Sequence, residues 1–136
     1  MFKTVLFPID QSREAREAAE VVVNVVQKYG SRLVLLSVVE TADADDPPIT
    51  ETMASPDVVA QLLKNAQSLF TQQGIQTETI EREGKPAFVI CDVADEIGAN
   101  LIVMGCRGLG LTEEGVNDSV TNRVINLAPC PVLIVP

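Results

Sequence analysis

Apolar positions along the chain fall into two alternating patterns. Thr4 to Ile9 is a short apolar run, interrupted by Pro8 and closed by Asp10, which suits a buried strand at this length. From Ser12 the spacing changes to Ala15, Ala18, Ala19, Val22, Val23 and Val26, a helical stripe that stops near Gly30. Arg32 to Val39 is again almost continuously apolar, as expected of a strand covered on both faces. Glu40 to Ala54, with Asp43, Asp45, Asp46, Pro47 and Pro48, has neither period and reads as an acidic loop. Ser55 then supplies a helix cap with Pro56 in the first position, and Val59, Leu62, Leu63, Ala66 and Phe70 repeat at helical intervals until Gly74.

The second half continues the alternation. Ile75, Thr77 and Thr79 alternate imperfectly with polar residues, and with Glu78 and Glu81 close by they predict a half-exposed edge strand. Gly84 and Pro86 open a third helix carried by Ala87, Ile90, Cys91, Ala94 and Ile97, followed by a strand over Leu101 to Met104. After a loop from Gly105 to Asp118, a helix over Ser119 to Leu127 leads into a last apolar strand, Val132 to Val135. Strict alternation without a hairpin signal implies right-handed crossovers and a doubly wound α/β fold, a parallel sheet with helices on both faces. Such sheets bind ligands beyond the carboxyl ends of their strands, where the winding reverses. That principle directs attention to Asp10, Val38 and Gly105.

Composition narrows the function classes. A chain of 136 residues with 46% hydrophobic and 21% charged residues is expected to form one self-sufficient domain. Its net charge of −9 disfavours nucleic acid and anionic membrane surfaces as partners, because both require clustered cations. No apolar run is long enough to span a bilayer, and the opening Met1 to Pro8 is too quickly punctuated for a signal peptide, so the expected location is cytoplasmic. The cysteines, Cys91, Cys106 and Cys130, are odd in number and lack paired spacing, and there is no histidine, so neither a disulfide framework nor a metal site is indicated.

The segment Met104-Gly105-Cys106-Arg107-Gly108-Leu109-Gly110 gathers glycines directly after a strand, where backbone amides can approach a phosphate closely and a following helix start adds positive potential. A plain tight loop would carry the same residues. Neither a Walker A loop nor the dinucleotide fingerprint fits, since no Gly-Lys-Ser/Thr is present and the order is G-x-x-G-x-G after the fourth strand. The segment resembles the nucleotide-binding motif of the universal stress protein family, G-x2-G-x9-G-Ser/Thr. Gly105 and Gly108 fill the first two positions and Asp118-Ser119 the last pair. The resemblance extends to Phe7-Pro8-Ile9-Asp10, to Leu36-Ser37-Val38 and to the closing Ala128-Pro129-Cys130-Pro131-Val132-Leu133-Ile134-Val135.

The resemblance implies a five-stranded sheet in the order 3-2-1-4-5, ATP or a related adenine nucleotide as ligand, and a homodimer through the C-terminal strand; Mg or Mn beside the nucleotide would offset the acidic residues of the motif. The resemblance further implies that Asp10 binds the adenosine portion, that the backbone of Val38 meets adenine, and that Gly105, Gly108 and Ser119 bind phosphate. Ile9, Met104, Arg107, Val120 and Thr121 would complete the wall. Simpler roles remain open beside these: Asp10 and Ser119 as helix caps, Arg107 as a solvated cation, Val38 and Met104 as core.

Asp118 departs from the family pattern, standing where the motif has its third glycine, with Glu113 and Glu114 in the same loop. A carboxylate about 5 Å from a phosphate charge costs about 1 to 3 kcal/mol across effective dielectrics of about 80 to 20. Asp118 also suits a helix N-cap, occupying amides that would otherwise await phosphate. Three functions follow. The first is a nucleotide-responsive binding module without catalysis. The second is an ATP-independent dimer acting through protein contacts, and the third a weak metal-dependent ATP hydrolase lacking any histidine base.

Overall fold

The computed structural model describes residues 1–10, 13–40, 55–105 and 120–136. They form β1 (Thr4–Pro8), α1 (Arg13–Tyr29), β2 (Arg32–Glu40), α2 (Pro56–Gln72), β3 (Thr77–Gly84), α3 (Pro86–Ile97), β4 (Leu101–Gly105), α4 (Val120–Leu127) and β5 (Val132–Val135). The five strands are parallel and lie in the order β3-β2-β1-β4-β5, so the winding reverses between β1 and β4.

Two apolar layers sandwich this sheet. On one face Ala18, Val22 and Val26 of α1 and Val59, Leu63 and Phe70 of α2 pack on Val5, Phe7, Leu33, Leu35 and Val103. On the other, Ala87, Ile90, Val93 and Ala94 of α3 and Val124 of α4 pack on Leu6, Val34, Leu36, Ile102 and Met104. Successive residues of one strand thus serve opposite layers, which is why β1, β2 and β4 read as continuous apolar runs rather than alternating ones.

Element boundaries follow local chemistry. Ser55 caps α2, its hydroxyl accepting from the Val58 amide at 3.5 Å, with Pro56 in the first turn. Gly98, at φ 65°, ends α3 in the left-handed conformation, its amide bonded back to the carbonyls of the last turn. β3 runs longer than the alternation of Thr77 and Thr79 suggests, through Gly84, because β2 offers it an eight-residue ladder from Leu33–Thr77 to Glu40–Gly84. Ile75 precedes the strand and is buried in the first layer. The loop of residues 41–54 and the glycine loop after Gly105 lie outside the described residues.

β1 ends at Pro8, one residue short of the predicted Ile9. The Ile9 amide donates to the Leu36 carbonyl of β2 at 2.8 Å, so by strand alternation Pro8 faces β4 and has no N–H to give it. The β1–β4 ladder covers Val5–Leu101 and Leu6–Ile102. The two strands therefore part at the switch point, just where their carboxyl ends meet the surface.

Candidate functional site

The parting of β1 and β4 opens a cleft at the carboxyl edge of the sheet, on the side covered by α3 and α4. Its open volume, mouth included, is about 540 Å³, within the range of small-molecule sites. Three neighbouring strands supply its floor. β2 contributes Leu36, Val38 and Glu40, β1 with its extension contributes Pro8, Ile9 and Asp10, and β4 contributes Met104 and Gly105. Pro86 and Ile90 of α3 close one side, Val120 and Thr121 of α4 another, and Ala15 of α1 reaches the rim.

Of the ten residues that the sequence singles out, Ile9, Asp10, Val38, Met104, Gly105, Val120 and Thr121 meet in this one cleft. Arg107, Gly108 and Ser119 lie outside the described residues, as do Asp118, Glu113 and Glu114. Val38 and Met104 are also core residues of the α3–α4 layer. Their structural and lining roles coincide, since the cleft is the exposed end of that layer.

Hydrogen bonds fix the two ends of the floor. Ser37, buried among the apolar residues of β2, donates from Oγ to the Ile9 carbonyl at 3.0 Å. Together with the Ile9 amide bond to Leu36, this holds the chain extended beyond β1 and presents Asp10 at the cleft. At the other end, the hydroxyl of buried Thr121 donates to the Gly105 carbonyl at 3.3 Å, tying the first turn of α4 to the end of β4. The start of that helix therefore lines the same opening as Gly105.

Glu40 is the charged residue of the described lining that lies outside the sequence-derived candidates. The sequence pattern joins it to the acidic loop, yet it is the last residue of β2 and shares a face with Leu36 and Val38. The period of two, continued one step past Val39, would have found it. Pro86 and Ile90 were read only as a helix start and a core position. Gly84 carries them into place: at φ +146° it makes the turn from β3 into α3, and a side chain there would meet Val89 Cγ2 at 2.9 Å.

The described lining holds two carboxylates, Asp10 and Glu40, and neither Lys nor Arg. Among the described residues no group of three or more His, Cys, Asp or Glu could hold a metal ion. Away from the cleft, burial pushes the thiols of Cys91 and Cys130 up from their ordinary value, with Asp92 and Cys130 adding to the effect at Cys91. Such thiols are poor nucleophiles at neutral pH, and Cys106 lies outside the described residues. What the arrangement offers is an apolar slot, a carboxylate acceptor in its middle and a helix start at its far end.

Comparisons with known proteins agree with this architecture. Residues 1–136 match the model of the universal stress protein family. A universal stress protein of Synechocystis sp. is 62% identical over 136 residues, covering 100% of this chain and 87% of that protein. Among solved structures, the universal stress protein UspA from Lactobacillus plantarum superposes with a TM-score of 0.77 at 26% identity, covering 99% of this chain and 98% of that one. A universal stress protein solved in complex with cAMP gives a TM-score of 0.81 at 22% identity over 99% of this chain and 97% of that one, a likeness of fold. Among the described residues no helix is long and apolar enough to cross a membrane.

Proposed function

The chain belongs to the universal stress protein family, and from that premise we propose that it is a nucleotide-responsive binding module whose cleft takes an adenine nucleotide. The observation that carries this reading is the convergence of Ile9, Asp10, Val38, Met104, Gly105, Val120 and Thr121 on one cleft at the switch point of the sheet. The apolar faces of Leu36, Val38, Ile90 and Met104 suit the flat face of a base. Asp10, an acceptor at the middle of the floor, suits sugar hydroxyls. Gly105 and the first turn of α4 suit a phosphate, which a helix start attracts. The fold accommodates cAMP in one protein of the same architecture, which fits the same choice of ligand.

Charge sets the phosphate number. Two carboxylates without a cation in the described lining repel each added phosphate charge, so a monoester or cyclic phosphate is favoured and ATP calls for Mg or Mn. Asp118, outside the described residues, adds a further negative charge to the motif and acts in the same direction. Binding rather than turnover is the role assigned here, because the chain has no histidine to serve as a general base. Contacts with protein partners, through a homodimer formed by β5, would carry the signal.

Titration calorimetry with AMP, cAMP and ATP, each with and without Mg or Mn, tests the proposal. AMP and cAMP are expected to bind without metal, ATP only with it, and Asp10→Ala to weaken all three by about tenfold or more, as for loss of a hydrogen bond to a charged group. Absence of heat from every nucleotide under every condition overturns it.

A further inference from the structure

We propose that Glu40 reads the base, accepting a hydrogen bond from an exocyclic amino group and so making the cleft selective for adenine. This rests on the cleft taking a purine nucleotide, and deepens that reading. The order of strands supplies the direction of the ligand. Neighbouring strands are about 4.8 Å apart, so the end of β2 lies about 10 Å from the end of β4, with β1 between them. Gly105 and the start of α4 belong to the β4 end. A phosphate seated at the β2 end would instead face the Glu40 carboxylate. The ligand therefore runs with its phosphate toward β4, its sugar over Asp10 on the extension of β1, and its base toward β2.

At that end the apolar side chains of Leu36, Val38 and Ile90 can cover the faces of a base, and beside the Val38 backbone Glu40 brings the charged side chain that can meet its polar edge. Buried polar groups need hydrogen-bond partners, and leaving one unmet is costly. Glu40 stands on the same face of β2 as Leu36 and Val38, two residues beyond Val38. An ionised carboxylate only accepts, so it matches an amino group and opposes a carbonyl oxygen at the same position.

The test compares AMP with the purine ribonucleotide that lacks the 6-amino group, titrated into the wild-type protein, Glu40→Gln and Glu40→Ala. Wild type is expected to prefer AMP by about tenfold or more, the effect of a hydrogen bond to a charged group. Glu40→Ala should weaken AMP by a similar factor relative to the nucleotide without the amino group, which loses only a repulsive charge and is not weakened, and bring the preference close to one. Glu40→Gln, which keeps the shape and one acceptor oxygen, should retain part of the preference and admit the 6-keto nucleotide, because its amide also donates. If AMP binds the wild type and Glu40→Ala leaves the preference intact, the assignment of Glu40 fails while the cleft stands. If Glu40→Ala instead erases a preference for AMP over 2′-deoxy-AMP, Glu40 holds the sugar and base reading is overturned. If none of the nucleotides binds, the adenine-nucleotide function falls and this assignment with it.

Discussion

Ser37 shows how much a single buried hydroxyl decides. Its neighbours on β2 are aliphatic, and its one polar atom is spent on the carbonyl of Ile9, the residue before Asp10. Ser37→Ala removes that donor and leaves a buried carbonyl short of a partner, which should cost about 1 to 2 kcal/mol. Chemical denaturation would show that loss, and nucleotide titration should show a weaker site as Asp10 loses its support. An unchanged midpoint would mean that Ile9 is held by the Leu36 bond alone. Cysteine chemistry gives a second expectation at this scale. Burial raises the thiols of Cys91 and Cys130, so the folded chain keeps protons that the unfolded chain releases near the ordinary value of 9.0. The unfolded state then binds fewer protons, and the contribution to stability, complete below that value, is lost as pH rises through the raised folded values. Denaturation midpoints should fall as pH passes about 9, and Cys91→Ser with Cys130→Ser should flatten that part of the profile. Alkylation of both thiols at neutral pH should be slower in the folded than in the unfolded protein.

The elements differ in how openly the sequence announces them, for physical reasons. Strands buried on both faces and helices with one apolar stripe carry their own period, so β1, β2, β4 and the four described helices were legible, with Ser55, Gly30 and Gly74 marking ends through cap chemistry. β3 was legible as an edge but not in length, because its later residues, Glu81 to Gly84, are held by the ladder to β2 rather than by a pattern of their own. Seven of the ten candidate residues line one cleft, Asp10, Val38 and Gly105 indicated by the topology rule and Ile9, Met104, Val120 and Thr121 added by the family resemblance. Glu40 was not legible as a lining residue, since a charged residue at the end of an apolar strand looks like the start of the acidic segment that follows. Gly84 was legible as the start of the third helix, but the positive φ it must adopt there has no side-chain signature. Gly84→Ala would place a methyl group 2.9 Å from Val89 Cγ2 at a φ of +146°. The expected cost is about 1 to 3 kcal/mol, read as a lower denaturation midpoint, with weaker nucleotide binding as Pro86 and Ile90 shift. Full retention of both would show that the β3–α3 turn has slack to absorb a side chain.

Across the whole molecule the two edges of the sheet are guarded in opposite ways. β3 presents Glu78, Glu81, Arg82 and Glu83, with Arg82 paired to Glu96 at 2.9 Å and Arg32 paired to Glu78, and so many exposed charges resist pairing with another strand. β5 has none: Val132 to Val135 is wholly apolar, pairs among the described strands only with β4, and leaves Leu133 38% exposed. An unguarded apolar edge can be completed by a second copy across a twofold axis, strand β5 meeting strand β5. Two chains of net charge −9 repel one another at long range, so salt should favour this association rather than oppose it. The wild-type protein is therefore expected to scatter light as a dimer at micromolar concentration, with the dimer fraction rising with ionic strength. Leu133→Lys is the cleaner disruption, because Val132 packs against the α3–α4 layer and its replacement would also disturb the fold. It should give a monomer with an unchanged denaturation profile in dilute solution. A wild-type monomer at every salt concentration, or a Leu133→Lys dimer as tight as the wild type, would exclude β5 as the contact and leave its apolar edge without a partner.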